Sequence, residues 1–558
     1  MKRKWMIFGV ISLLVLAACG KESAAEQGNK TNSSIVEENV TDDIGSEKNA
    51  EAEGGEPEEY PGRPKADPAQ ITYADTYSFE KLSYDGLEEA EFSCLLEAEE
   101  AQADEGVILK TDKTGYSGTG YLDISDNTKF SLQVTIPASQ YYKITVRHCA
   151  GSHKENPLLF NGAKALDIVS EQGDWVETTV DGVFLEKGEN TITLGAGWSW
   201  FSLDSIAIEK GEALSNELYK NVTTTLSNPY ANLKTQNIYQ YLLAVYGKRV
   251  LTGQCTNYGT NTETEALNLG LGKYPAVRTF DFIYDSKSFH KSNFKDEVGL
   301  AIKWSQAGGL VVYDWHWYAP YNECAFYTDD TSFSLAKAVT TEDIAKLPLE
   351  EIEKLQTEGK ISIEAYKIVE DIDNISGMMQ RMERENVTVL WRPLHEASGG
   401  WFWWGASGAD AYQWLWKLMY ERMTNYHQLD NLIWVWNGQH ADWYPGDEYC
   451  DIVALDVYNN AHDHGASPSA FANLAGWANN SKLAAMSECA TMPDPDLIIR
   501  DNAYWLWFAV WNWDYIVVNG TKELSEAYTS LQMMEKVYNS EVMITRDELP
   551  DFSQYDGK

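Results

Sequence analysis

The chain is short of positive charge. Its 558 residues hold 44 Lys and Arg against 84 Asp and Glu, a formal net charge of −40. A surface this acidic repels phosphate backbones and anionic headgroups, which excludes nucleic acid and a charged membrane surface as partners; a neutral polysaccharide is compatible with it. Metal-type cysteine spacing is also missing. Beyond Cys19, the residues Cys94, Cys149, Cys255, Cys324, Cys450 and Cys489 are scattered, with no CxxC or CxxxC pair. That is no zinc signal, and the density is too low for a disulfide-stapled scaffold. Cys94 and Cys149 either pair within one small domain or stay as buried free thiols. Long apolar runs are absent: Trp5 to Leu16 is too short for a spanning helix. Residues 20–60 lack Trp, Phe and Met and carry twelve Asp/Glu against three Lys. Such a segment cannot bury enough apolar area to fold, so an acidic, extended tether is expected over residues 19–80.

What is present begins with an export signal. Lys2-Arg3-Lys4 precedes the apolar run, and Leu16-Ala17-Ala18-Cys19 matches a bacterial lipobox. Residues 1–18 are expected to be removed and Cys19 lipidated. The protein would then touch the membrane only through this anchor, at the cell surface. The chain is rich in aromatics, with 21 Trp and 32 Tyr. Indole faces suit sugar rings, although some of these residues belong in a core.

Over residues 88–210 short alternating strands follow one another: Lys129–Ile136, Tyr142–Arg147, Asn190–Leu194 and Ser202–Ile208, separated by Gly- and Asn-rich turns. The pattern predicts an all-β, jelly-roll-like sandwich. After a joint near Gly211 to Asn228 the chain alternates apolar runs with helical stretches. Eight candidate strands appear over residues 226–545: Arg249–Gln254, Ala276–Phe282, Leu310–Trp315, Val387–Pro393, Leu432–Asn437, Ile452–Val457, Leu483–Glu488 and Leu506–Trp511. Helices are expected over Asp296–Gln306, Ile372–Arg384 and Ala409–Tyr426. Eight such units predict a (β/α)8 TIM barrel of the α/β class, whose chemistry sits where strands end.

The fourth strand runs into Trp391-Arg392-Pro393-Leu394-His395-Glu396, followed by Ala-Ser-Gly-Gly-Trp401-Phe402-Trp403-Trp404. A carboxyl beside apolar aromatic surface is poorly solvated and holds its proton toward neutrality, as a glycosidase acid must. A retaining glycosidase needs a second carboxyl about 5–5.5 Å away. Glu488, ending the seventh apolar run, lies across a barrel from the fourth strand. Arg392 is read as a structural guanidinium fixing carboxylates through bidentate bonds, and His395 as a group that positions the sugar. Trp436 and Trp511 are stacking platforms or core. A metal at His316, His395 and Asp456 has no ligand spacing to recommend it.

The motif Arg-Pro-x-His-Glu with Gly-x-Trp-Phe-Trp-Trp-Gly resembles glycoside hydrolase family 26, whose commonest activity is endo-β-1,4-mannanase. The resemblance runs from about Asn237 to Tyr538. It implies that Glu396 is the acid/base and Glu488 the nucleophile. It also implies that Tyr458 hydrogen-bonds the nucleophile, that His316 lies near the sugar at the cleavage point, and that Trp401 flanks that point. Many members carry an Arg after the eighth-strand Trp; here Trp511 is followed by Asn512. Residues Pro320 to Tyr366 form a long insertion.

Glu97-Ala98-Glu99, Gly115 to Tyr121, Phe160-Asn161-Gly162 and Gly197 to Asp204 resemble carbohydrate-binding module family 35; neighbouring family 6 shares much of the pattern. This resemblance implies a structural Ca2+ held by Glu97, Glu99 and Asp204, and sugar contact near Trp198 and Trp200, one of which can instead be core. The expected protein is a monomeric, surface-anchored, endo-acting retaining β-1,4-mannanase that hydrolyses mannan-type polysaccharide by double displacement, without a catalytic cofactor. The alternatives are a β-1,3-xylanase or β-1,3-1,4-glucanase of the same family, or a non-catalytic surface glycan-binding lipoprotein. The sandwich is expected to act by raising local substrate concentration, without completing the cleft.

Overall fold

A computed structural model describes residues 63–552, save 126–127, 153, 196, 198–199, 288, 290–294 and 321–324. The signal segment, Cys19, most of the tether, Trp198 and Cys324 lie outside the described residues.

The sandwich consists of two antiparallel sheets. One contains Ser93–Glu97, Ile108–Lys110, Tyr121–Ile124, Gln140–Ala150, Val176–Leu185 and Phe201–Lys210. The other contains Gln102–Ala103, Lys129–Ile136, Lys154–Phe160, Ala163–Ser170 and Gly188–Gly195. Period-2 patterning explains the packing. Along Lys129–Ile136, Phe130, Leu132, Val134 and Ile136 are buried, while the residues between them face outward. Gly188–Gly195 pairs with that strand in a register that sets Ile192 opposite Leu132, and both enter one core with Leu158 and Ile206. Cys94 and Cys149 are free thiols, as are Cys255, Cys450 and Cys489.

The barrel is closed by eight parallel strands: Val250–Cys255, Val277–Asp281, Leu310–Asp314, Val389–Arg392, Leu432–Trp436, Ile452–Val457, Leu483–Cys489 and Trp507–Val510. They pair in chain order, and the first joins both the second and the eighth. Leu310–Asp314 and Leu432–Trp436 are buried along their whole length, because side chains fill the lumen on one face and helices cover the other. The helix expected from Ile372 begins earlier, at Ile363, where the Ser362 side chain caps it by accepting from Ala365 N. The expected Ala409–Tyr426 helix runs as α to Tyr420 and finishes as a π-turn over Glu421–Tyr426. On that turn sits the buried Arg422. Its guanidinium donates to the carbonyls of Ile344, Ala345 and Leu347 at 2.9–3.2 Å and pairs with Asp373, so the insertion after the third strand is pinned to the barrel wall.

The tether ends earlier than expected. Residues from Asp67 onward pack on the barrel: the Tyr77 ring meets Tyr241 edge-on at 5.1 Å, Phe79 meets it at 6.1 Å, and Tyr504 Oη donates to Leu82 O at 3.0 Å. Tyr77 and Phe79 supply the rings for this contact, whereas residues 20–60 contain no Trp, Phe or Met. The sandwich is also fastened to the barrel. Arg500 lies over the Phe184 ring at 4.2 Å, Ser469 Oγ donates to Asp181 O at 3.0 Å, and Asn502 Nδ2 donates to Leu214 O at 2.6 Å.

Candidate active site

The site is assembled around Arg392, the last residue of the fourth strand and fully buried. One terminal nitrogen donates to Glu488 Oε1 at 2.6 Å and to Asp314 Oδ2 at 2.8 Å; the other faces both Asp456 oxygens at 3.4 Å. The expected bidentate clamp is thus a bridge across three carboxyls from the third, sixth and seventh strand ends. Burial alone would raise the Asp314 pKa, but Arg392 and His395 hold its carboxyl well below the usual range. Burial, and then the Glu488 charge, push the Asp456 carboxyl up.

Glu488 is held from both sides, since Tyr458 Oη donates to its Oε2 at 2.6 Å. Both donors stabilise charge on that carboxylate and fix its plane. Consecutive residues Ser487 and Glu488 both reach the site. A regular strand would send one of them outward, but the pairing with the neighbouring strands is irregular here, and such bulges re-aim side chains.

Glu396 faces this cluster from the loop after the fourth strand. One carboxylate oxygen each from Glu396, Asp456 and Glu488 lie within 4.8 Å of one another. Glu396 is buried, and Trp401 Nε1 donates to its Oε2 at 3.2 Å. Burial, then the charges of Asp456 and Glu488, raise its pKa well above the ordinary carboxyl value. Its backbone is strained: φ is +57° at Leu394 and +51° at Glu396, a conformation that costs about 1–3 kcal/mol per residue. Asn437, at the fifth strand end, holds that bend. Its carbonyl accepts Glu396 N at 2.8 Å, and its amide donates to Asp456 Oδ1 at 2.9 Å and to Ser487 Oγ.

Two histidines complete the wall, with ring centroids 4.5 Å apart. Burial opposes charge on His316, but the Asp281 carboxylate, 2.7 Å from Nδ1, outweighs it and brings the pKa to about 9. The Asp281 pairing therefore favours the protonated ring of His316. For His395 burial wins over the attraction of Asp314, whose Oδ1 is 3.1 Å from Nδ1, and its pKa is lowered. Trp511 is half-buried, 6.1 Å from the His316 ring.

The seven barrel residues expected at the site, Glu396, Glu488, His316, His395, Trp401, Tyr458 and Trp511, therefore meet at one end of the barrel. The indole wall is smaller than the sequence implies. Trp403, Trp404 and Trp436 are buried core. Trp404 Nε1 holds the carbonyl of His395 at 2.8 Å, and Trp403 Nε1 holds that of Trp317 at 2.7 Å. The insertion braces the Trp401 loop, with Thr328 N donating to Trp401 O at 2.7 Å. Asp281, Asp314 and Asn437 were not picked out from the sequence, although each sits at a strand's C-terminal end, the signal that marked the others.

In the sandwich, Glu97 Oε2 accepts from Ser117 Oγ at 2.7 Å and Asp204 Oδ1 accepts from Ser117 N at 2.8 Å. Glu99 Oε1 accepts from the Thr119 hydroxyl at 3.0 Å, and its buried Oε2 has no hydrogen-bond partner. Oxygen donors with one orphaned carboxylate atom fit a hard cation. Asp204 departs from that pattern, because Arg147 already pairs with its other oxygen. Trp200 is 58 % exposed, with φ +77°.

An acidic carboxyl and a fixed carboxylate facing each other across the fourth and seventh strand ends of a parallel barrel define a hydrolase of glycosidic bonds. Residues 227–548 match the model of glycosyl hydrolase family 26, and the chain belongs to that family. Residues 94–211 match carbohydrate binding module family 35. The chain is 34% identical to mannan endo-1,4-beta-mannosidase B of Piromyces sp, over 82% of this chain and 77% of that one. It is 33% identical to mannan endo-1,4-beta-mannosidase of Thermothelomyces thermophilus, over 80% and 88%. Among solved structures it is similar to a Podospora anserina GH26-CBM35 beta-(1,4)-mannanase, with 32% identity, a TM-score of 0.55, and coverage of 82% of this chain and 99% of that one.

Replacing Tyr458 by Phe removes one donor from Glu488 and leaves the ring. A hydrogen bond to a charged group contributes about 1.5–3 kcal/mol, so kcat on mannopentaose should fall roughly ten- to a hundredfold. An unchanged kcat would show that this bond does not serve the reaction.

Proposed function

We propose that the protein is an endo-acting, retaining β-1,4-mannanase that cleaves mannan-type polysaccharide at the cell surface. The spacing of Glu396 and Glu488 oxygens, within 4.8 Å, carries the mechanism. An inverting enzyme keeps its carboxyls about 6.5–9.5 Å apart to admit water, whereas a retaining one needs about 5–5.5 Å. The activity named for the Piromyces and Thermothelomyces relatives supports the substrate.

Glu488 attacks the anomeric carbon while Glu396 gives its proton to the leaving glycosidic oxygen. The glycosyl-enzyme ester is then opened by water, whose proton passes to Glu396, and the configuration is retained. Arg392 and Tyr458 hold the Glu488 carboxylate in place for the attack. The His316 ring and the Trp401 and Trp511 indoles line the sugar site. Burial and the charges of Asp456 and Glu488 raise the Glu396 pKa, which favours the protonated form that the acid role needs, and the proton is lost as pH rises through that pKa.

In the sandwich, Glu97 and Glu99, with Asp204 beside them, would hold a Ca2+ that stiffens the Ser117–Thr119 turn, and exposed Trp200 would stack on sugar. The lipobox at Cys19 places the protein on the membrane through lipid, with the acidic segment as spacer. Among the described residues no helix is long and apolar enough to cross a membrane.

Four outcomes are expected for the catalytic reading. Glu488→Ala should abolish turnover on every substrate. Glu396→Ala should keep slow hydrolysis of aryl mannosides with good leaving groups and lose the alkaline limb of the pH profile. Proton NMR should show β-mannoside as the first product, and reducing sugar should come from mannan and galactomannan, not from β-1,3-xylan or lichenan. Near wild-type mannan hydrolysis by Glu488→Ala, or an α-anomer formed first, would sink the mechanism. For the cation, EDTA should lower the melting temperature of the sandwich and Ca2+ should restore it; no bound Ca2+ on equilibrium dialysis would refute the site. For the anchor, the native protein should enter the detergent phase and Cys19→Ala should not; a native protein wholly in the aqueous phase would rule out lipidation.

A further inference from the structure

The sandwich touches the barrel at one place where the contact continues toward the reacting groups. The start of its strand Ala163–Ser170 meets the loop after the sixth barrel strand, where Lys164 N donates to Asp463 Oδ2 at 2.8 Å. The other oxygen of that carboxylate accepts Gly465 N at 3.1 Å, which shapes the loop. The loop is then tied to the one after the seventh strand. Thr491 Oγ1 donates to Asp463 O at 2.5 Å, His464 Nδ1 to Met492 O at 2.9 Å, and Asp494 N to His464 O at 2.9 Å. On the far side His462 N donates to Tyr528 O at 2.8 Å. The Tyr528 ring lies 4.2 Å from Tyr515, which lies 5.9 Å from Tyr458. The two loops joined in this way start at Tyr458 and just past Glu488.

We propose that the sandwich is part of the catalytic unit: through Lys164 it fixes Asp463, and Asp463 is a positioning residue that holds the sixth- and seventh-strand loops, and with them Tyr458 and Glu488, in register. The inference rests on the reading of Glu488 as nucleophile. It departs from the expectation of an independent module, which acts only through local concentration and cannot alter chemistry on a small soluble substrate. A carboxylate that attacks in line must be held to within about half an ångström. Loops carry less intrinsic stability than strands and need such supports.

Full-length variants test it. Asp463→Ala removes the acceptor of Lys164 N, Asp463→Asn keeps one acceptor, and Thr491→Val removes the hydroxyl that ties the two loops. Ser469→Ala removes the hydroxyl by which the helix Pro468–Trp477 donates to Asp181 O of the sandwich, a contact that does not join the two loops. The readouts are kcat and KM on mannopentaose and the rate of labelling by a 2-deoxy-2-fluoro-β-mannosyl fluoride, with the labelled residue identified by mass spectrometry. Displacements near 1 Å at a reacting group cost up to about a hundredfold. Asp463→Ala and Thr491→Val should therefore lower both kcat and labelling rate about ten- to a hundredfold, with KM nearly unchanged and Glu488 still labelled. Asp463→Asn should recover part of the loss, and Ser469→Ala should match wild type. Should Asp463→Ala not fold, the Asn and Thr491→Val variants decide. Labelling of Glu488 at the wild-type rate in these variants overturns the positioning role and leaves the nucleophile reading intact. A loss of equal size in Ser469→Ala overturns it too, because general loosening would then be the cause. A label elsewhere than Glu488 in the wild type removes the nucleophile reading and this inference together.

Discussion

A single buried guanidinium sits among carboxyls from three different strands, and the site could not exist without it. Arg392 has no solvent contact, yet it faces Asp314, Asp456 and Glu488. Removing it would leave three acids packed together in low dielectric, where like charges cannot all persist. A lysine would bring the charge but not the planar fork that reaches three partners at once. The guanidinium meets Asp314 and Glu488 directly, whereas at Glu396 burial and the charges of Asp456 and Glu488 outweigh the opposing pull of Arg392 and His316. A raised pKa is the consequence. Two carboxyls of the same chemistry are thereby placed in opposite electrostatic surroundings, and the position of one cation decides which is which.

The strained bend at Leu394 and Glu396 depends on the same cluster. Two left-handed residues in succession around His395 are unfavourable in isolation. They persist because Asn437 accepts the Glu396 amide while its side chain is held by Asp456 and Ser487. The His395 carbonyl is held by Trp404. Much of the aromatic content of the chain is used in this way: Trp403 and Trp404 secure backbone carbonyls, and Trp315 stacks on Trp317 at 3.9 Å. At the reacting groups, Trp401 and Trp511 are half-buried, and Trp200 is exposed on the sandwich.

The protein is less modular than a tether and two beads. Residues from Asp67 lie along the barrel, the Arg500 guanidinium rests on a sandwich ring, and Lys164 reaches a loop that begins at Tyr458. Long-range order of this kind depends on single hydrogen bonds and ring contacts between segments hundreds of residues apart.

Much of this was legible in the sequence. Apolar runs with polar or aromatic ends located all eight barrel strands, because a strand buried on both faces must be apolar and its chemistry can only lie where it stops. The period-2 alternation of Lys129–Ile136 likewise determined a sandwich strand. The motif around Glu396 and the strand ending in Glu488 marked the acidic pair, since burial beside indoles and position across a barrel are both written locally. Other features were decided only by the tertiary structure. Nothing in Leu432–Asn437 distinguishes Asn437 from an ordinary strand end until the bend after Arg392 is brought against it. Trp403 and Trp401 are the same residue two positions apart; one is core and the other faces the cleft, because the insertion pinned by Arg422 covers one of them. Local pattern sets which residues are strand and which are apolar. Which carboxyl has its pKa raised, which indole stays exposed and which loops are hydrogen-bonded together depend on distances between segments remote in the chain, and those distances exist only after folding.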